Sequence, residues 1–114
     1  MIEQIIVAMR GIRFPLKGEK VLQAALSEQF TASGIEHERE VRLSGADVVD
    51  FMFGDVAAEV KLHGGKMAIY RQLERYCEHD SVSKIILISN VPMGLPAAIN
   101  GKPAYLFNLS KAWL

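Results

Sequence analysis

Asp50, Glu59 and Lys61 are the residues of this chain whose types and spacing best suit chemistry. They fall in Val48-Val-Asp-Phe-Met-Phe-Gly-Asp-Val-Ala-Ala-Glu-Val-Lys-Leu62, two runs of strand-forming residues around Gly54-Asp55. Glycine at the first central position of a two-residue turn predicts a type II′ hairpin. Counting outward from that turn, Phe53 faces Val56, Met52 faces Ala57, Phe51 faces Ala58 and Asp50 faces Glu59. Lys61 lies two residues beyond Glu59 and shares its face. The opposite face (Val49, Phe51, Phe53, Val56, Ala58, Val60, Leu62) is wholly apolar. Directly opposed residues bring their Cβ atoms within roughly 4.5–5.5 Å, where like charges destabilise the pair. Two carboxylates tolerate that only with a cation, a shared proton or water between them.

A hard divalent cation suits such a set. Mg2+ takes one or two carboxylates and keeps several waters, which leaves a position for a phosphate oxygen. Bound there, it would polarise a phosphodiester and lower the pKa of its water. Lys61 would orient that water or offset charge at the pentavalent centre. An ammonium beside two carboxylates keeps its proton, so it stabilises rather than acting as a free-amine base. The same three residues also fit a surface hairpin closed by a cross-strand salt bridge.

The elements around the hairpin bear on that choice. The pattern predicts a helix from Glu19 to Ser33, closed by Gly34. Leu22, Leu26 and Phe30 form its apolar stripe, and Glu19 sits on the first turn of that stripe rather than on the solvent face. A first-turn glutamate also complements the helix dipole. Glu28, the other acidic residue of that helix, lies off the stripe. Residues 66–78 form a second helix with Ile69, Leu73 and Tyr76 inward. Gln72 lies between Ile69 and Leu73 and shares a face with Tyr76, an odd place for a solvated amide.

The remaining stretches supply the sheet. Residues 2–9 fit a strand or a short helix, and we read a helix. Gly11, Pro15 and Gly18 separate it from the rest, leaving residues 1–17 as an N-terminal arm that packs on the core or pairs with a second subunit. Within residues 35–43, Glu38-Arg-Glu-Val-Arg-Leu43 reads as a strand, with Arg39, Val41 and Leu43 on one face. Ser83-Lys-Ile-Ile-Leu-Ile-Ser89 is apolar enough for a strand buried on both faces. The helix before it makes a parallel crossover from the hairpin. Residues 91–103 are loop-rich with a helical turn near Ala97-Ala-Ile99, Pro103–Leu109 is a last strand, and Trp113 anchors the tail. The fold class is α/β: one domain over residues 1–114, a mixed sheet flanked by helices in the order α-β-β-β-α-β with a further strand.

This ordered set of residues resembles the PD-(D/E)xK nuclease superfamily, in particular its small stand-alone phage-type or VRR-type domains. The likeness spans about residues 18–90. A helix-borne Glu matches Glu19, an Asp on the second strand matches Asp50, and E-x-K on the third strand matches Glu59-Val60-Lys61. The Q-x-x-x-Y of some branches matches Gln72-Leu-Glu-Arg-Tyr76. Val49 stands where the family name has Pro. The resemblance implies a restriction-endonuclease-like core and a metal-dependent deoxyribonuclease. Asp50, Glu59 and the Val60 carbonyl would bind Mg2+, with Mn2+ as a substitute, and Glu19 would reach the metal directly or through water. Lys61 would serve catalysis. Gln72 and Tyr76 would touch the DNA backbone or brace the site. Lys66, Arg71 and Arg75 would contact phosphates, or else form a solvated helix face with Glu74 as partner. A homodimer is expected.

Composition narrows the alternatives. The 114 residues carry a formal net charge of zero, which argues against a protein that coats DNA but leaves room for a local basic patch. Cys77, the only cysteine, excludes an intramolecular disulfide and reads as core rather than as a nucleophile. His37 and His79 read as surface residues and His63 as a loop histidine. The N-terminal run is apolar for only about ten residues and carries Glu3, so neither a signal peptide nor a membrane span is expected, and the expected location is cytoplasmic. The rival reading is a catalytically inactive nuclease-fold module that binds a DNA structure or a partner protein.

Overall fold

In the computed structural model, which describes residues 1–110, helices α1 (Ile2–Met9) and α2 (Glu19–Ala32) precede strands β1 (Glu38–Ser44), β2 (Asp47–Phe53) and β3 (Val56–Lys61). Helix α3 (Lys66–Tyr76) and strands β4 (Lys84–Ser89), β5 (Ala98–Ile99) and β6 (Lys102–Asn108) follow. The six strands form one mixed sheet in the order β1-β2-β3-β4-β6-β5. β1, β2 and β3 are antiparallel neighbours, β3, β4 and β6 run parallel, and β5 returns antiparallel to β6. This is the mixed α/β architecture expected from the sequence. Trp113 lies outside the described residues.

Local chemistry explains the main boundaries. Helix α2 stops at Gly34 (φ 74°), whose N–H bonds to the Thr31 carbonyl at 3.0 Å while the Ile35 N–H returns to the Phe30 carbonyl at 2.9 Å. These paired bonds are a Schellman ending. Gly54 takes φ 65° while Asp55 stays at negative φ, as a type II′ turn between β2 and β3 requires. The turn sets Phe53 opposite Val56, Met52 opposite Ala57 and Phe51 opposite Ala58, the register read from the sequence.

Each face of the sheet has its own core. Helices α1 and α2 cover Phe51, Phe53, Val56, Ala58, Val60, Leu62, Ile86 and Ile88. The Phe30 ring meets Phe53 edge-on at 5.0 Å and Phe51 at 5.6 Å. Helix α3 covers Val49, Met52, Ala57, Ile85 and Leu87 on the other face. β4 is therefore buried on both faces, as expected of a central strand. Residues 1–17 are docked rather than extended: Ile2, Ile5, Ala8, Met9 and Phe14 belong to the core, and Gln29 Nε2 donates to the Ala8 carbonyl at 3.0 Å.

Four expectations are corrected. Ala97–Ile99 forms no helical turn; Asn100-Gly101, both at positive φ (50° and 77°), makes a type I′ hairpin that pairs Ile99 with Lys102. Val49 does not share the face of Phe51 but packs beneath α3. Likewise Arg39 lies over the Phe51 ring, 6.0 Å from its centroid, while Val41 and Leu43 pack on the α3 side. The cause is a break in alternation: Arg39 pairs with Phe51 and Val41 with Val49, and between them Glu40 sits at φ 51°, facing Asp50 without a ladder pair. His37 and His79 are half-buried rather than superficial. His37 bridges Ser27 Oγ (2.7 Å) and the Ile35 carbonyl (3.0 Å), and His79 Nε2 meets Asp47 Oδ2 at 2.9 Å.

Candidate active site

Between β2 and β3 the backbone ladder runs from the turn to Phe51–Ala58 and stops. Beyond it, side chains take over the backbone bonds. The Asp50 N–H donates to Glu59 Oε1 at 3.1 Å, and the Val60 N–H donates to Asp50 Oδ2 at 2.8 Å. One residue pair further out, the Leu62 N–H donates to Glu19 Oε2 at 3.0 Å. Val60 and Leu62 point their N–H groups to the same edge of β3, so each would otherwise be left unpaired, at a cost comparable to a lost hydrogen bond. Three carboxylates thus line the opened edge. The Val60 carbonyl faces that same edge, because a residue's N–H and C=O project together from a strand.

The three are not equivalent. Asp50 and Glu59 form a close pair. Glu19 is anchored two strand residues further along, about 7 Å away by strand geometry. Among the described residues no three His, Cys, Asp or Glu side chains converge as a ready-made cation cage. The donors are all oxygen: two carboxylates, one backbone carbonyl and a third carboxylate within reach of a bridging water. That number and hardness fit Mg2+ or Mn2+, which keep several waters, better than Ca2+, which takes six to eight oxygens.

Electrostatics single out the pair. Glu59 is 3 % exposed. Burial first, then the Asp50 charge, pushes its carboxyl up to about 8. Burial also raises Asp50, opposed by the Val60 N–H. Both shifts favour the protonated form, more strongly at Glu59. Lys61 Nζ lies 3.7 Å from Glu59 Oε2 with its side chain 22 % exposed, so it reaches the opening from the α3 side.

Helix α3 braces this arrangement. The Tyr76 hydroxyl lies 2.9 Å from the Val48 carbonyl and 3.2 Å from Glu59 Oε2, and it accepts from Gln72 Nε2 at 2.7 Å. Its single proton can be donated to the Val48 carbonyl or to Glu59, one at a time. Burial and the Glu59 charge push the Tyr76 hydroxyl above its ordinary range, so it stays neutral. Asp47 anchors the same helix end: Arg75 Nε reaches it at 3.3 Å and His79 at 2.9 Å, and the His79 bond draws its carboxyl below the ordinary value.

Six of the residues singled out in the sequence are therefore gathered: Glu19, Asp50, Glu59 and Lys61 on or beside β3, with Gln72 and Tyr76 behind Glu59. Arg75 is not directed at the opening but pairs with Asp47 rather than with Glu74. Lys66 and Arg71 are exposed on α3. Lys20 and Glu40 form an exposed ion pair at the rim, and the Lys20 ammonium also acts on Asp50. Asp47 was not singled out from the sequence, because its partners Arg75 and His79 lie about 30 residues away in the chain. A surface cavity of about 780 Å³ at the turn end, lined by Thr31, Glu36, His37, Glu38, Met52 and Gly54, includes none of Glu19, Asp50, Glu59 and Lys61.

Comparison of the chain with models of protein families, with curated proteins and with solved structures gave no match. Among the described residues no helix is long and apolar enough to cross a membrane.

Proposed function

We propose that this chain is a metal-dependent nuclease that hydrolyses phosphodiester bonds in DNA. The observation that carries the reading is the opened edge of β3, where Asp50 and Glu59 are held side by side and buried, with Lys61 two residues on. The ordered resemblance to PD-(D/E)xK nucleases supports it, as does the oxygen-only donor set. Asp50, Glu59 and the Val60 carbonyl would hold Mg2+ or Mn2+, and Glu19 would contact the ion or one of its waters. When bound, the ion supplies charge neutralisation at the phosphate and a water of lowered pKa. Lys61 orients that water or offsets charge on the phosphate. Tyr76 and Gln72 fix the Glu59 carboxylate, while Arg75, through Asp47, fixes the helix that carries them. Exposed Lys66 and Arg71 contact the DNA backbone in a salt-dependent way.

A panel of linear, circular, single-stranded, flap and junction DNA tests the reading, with Mg2+ or Mn2+ and with the Lys61→Ala variant alongside. Cleavage of at least one form, lost in the variant, is expected. No cleavage of any form by the wild-type chain contradicts it, and tight binding of one form without cleavage would make the chain a binding module. The proposal includes a cytoplasmic homodimer, with exposed Met1, Val7 and Val21 on the helical side as its apolar surface. Sedimentation as a monomer at working concentration contradicts that part.

A further inference from the structure

Two buried side-chain oxygens lack a donor among the described residues, Gln23 Oε1 and Asn90 Oδ1. Gln23 is only 3 % exposed, on a helix whose other buried residues are Leu22, Leu26 and Phe30. A buried acceptor left unpaired costs free energy that an apolar side chain of the same shape avoids. Its location follows from the way α2 lies on the sheet. The start of α2 is tied to Leu62 through Glu19, and Phe30, near its end, packs on Phe53 beside the turn. The helix therefore runs antiparallel to β3. Gln23 is one turn on from Glu19 and shares its face. Four helical residues advance about 6 Å, or about two residues of strand. That puts Gln23 level with Val60, the residue whose N–H holds Asp50. Asn90 joins the same face from the other side of β3: Ile86 and Ile88 point toward α1 and α2, Asn90 is next in that alternation, and it follows the Ser89–Lys61 pair.

We infer that Gln23 is a positioning residue of the cation site, its carboxamide oxygen accepting a hydrogen bond from a water carried by the ion. This rests on the reading of Asp50 and Glu59 as a Mg2+ or Mn2+ site. A Mg2+ ion that keeps several waters brings protons that need acceptors. Glu59, Lys61 and Tyr76 occupy the α3 side of the opening. On the α2 side the acceptors are Glu19, Gln23 and, level with Leu62, Asn90. Gln23 thus fixes which way the waters of the ion point, without touching the ion.

The test is calorimetric titration with Mn2+ at pH 8 on the full chain, with thermal unfolding of the metal-free protein beside it. Gln23→Met keeps length and shape and removes the acceptor. It should weaken Mn2+ binding by ~10-fold or more and leave the metal-free melting temperature equal or higher, because an unpaired acceptor is gone. Gln23→Glu restores an acceptor and should bind at least as tightly as wild type. Mn2+ affinity of Gln23→Met within about twofold of wild type, far short of a water-held contact, overturns the inference and leaves the nuclease reading standing. If Gln23→Met does not fold, weaker binding by Gln23→Glu than by wild type overturns it instead. Wild-type protein that binds no Mn2+ overturns the cation site itself and this inference with it.

Discussion

The two ends of the β2–β3 hairpin are made of the same two strands and behave in opposite ways. At the turn end the backbone ladder is complete, the inward side chains are Phe53, Val56, Phe51 and Ala58, and Phe30 closes over them. At the open end the ladder is absent. There the carboxylates of Asp50, Glu59 and Glu19 accept the N–H groups that strand pairing would have used. The first end is held by apolar burial, which needs no ligand. The second satisfies its backbone only by burying acidic groups, so it stores charge repulsion that a proton or a cation relieves. Apolar packing sits at one end and the proposed cation site at the other, with Asp50 and Glu59 three residues along their strands from Phe53 and Val56.

Substitutions at the two ends should separate these roles. The largest effect is expected at the turn end: Phe30→Ala removes a fully buried ring and should cost roughly 3–5 kcal/mol in denaturant unfolding. It should leave the metal affinity of the fraction that stays folded close to wild type. At the open end Lys61→Ala should lower cleavage by ~10²–10³-fold while changing unfolding free energy by about 1 kcal/mol or less. A Lys61→Ala variant that cuts like wild type would remove the catalytic role.

The pH response should sharpen the contrast. Glu59 ionises near 4.5 in an unfolded chain and is pushed up to about 8 in the folded one. Folding therefore takes up a proton between those values. The Glu59 contribution to the stability of the metal-free protein is fully present below about pH 4.5 and is lost as pH rises to about 8. The decline should be roughly 3–5 kcal/mol, seen as a lower melting temperature in chelator at pH 8 than at pH 5. Glu59→Gln should flatten it, and Mn2+ should restore the wild-type melting temperature at pH 8. The smallest effect belongs to the turn: Gly54→Ala meets no neighbour within 4 Å but places a side chain at φ 65°, for about 1–2 kcal/mol.

Much of the turn end was legible in advance because its signals are local. Gly54 at the first turn position sets the register, Gly34 sets the end of α2, and the apolar run at 84–89 marks the central strand. The acidic pair was legible for the same reason, since the register places Asp50 against Glu59. What escaped depends on distant partners or on unusual backbone. The face switch at Asp50 follows from Glu40 at positive φ, a conformation that a glutamate does not advertise. Asp47 owes its importance to His79 and Arg75, both from or just beyond α3. The β5–β6 hairpin did carry a local signal in Asn100-Gly101, which the surrounding prolines masked. Gln23 was also within reach, as the polar residue one turn beyond Glu19 on an otherwise apolar stripe.

We propose the open end of the hairpin as a divalent cation site. Calorimetric titration of the wild-type chain with Mn2+ at pH 8, beside Asp50→Ala, tests it most directly. The wild type should bind saturably, and Asp50→Ala should abolish that binding. A wild-type chain that takes up no Mn2+, or an Asp50→Ala variant that binds as the wild type does, would contradict it.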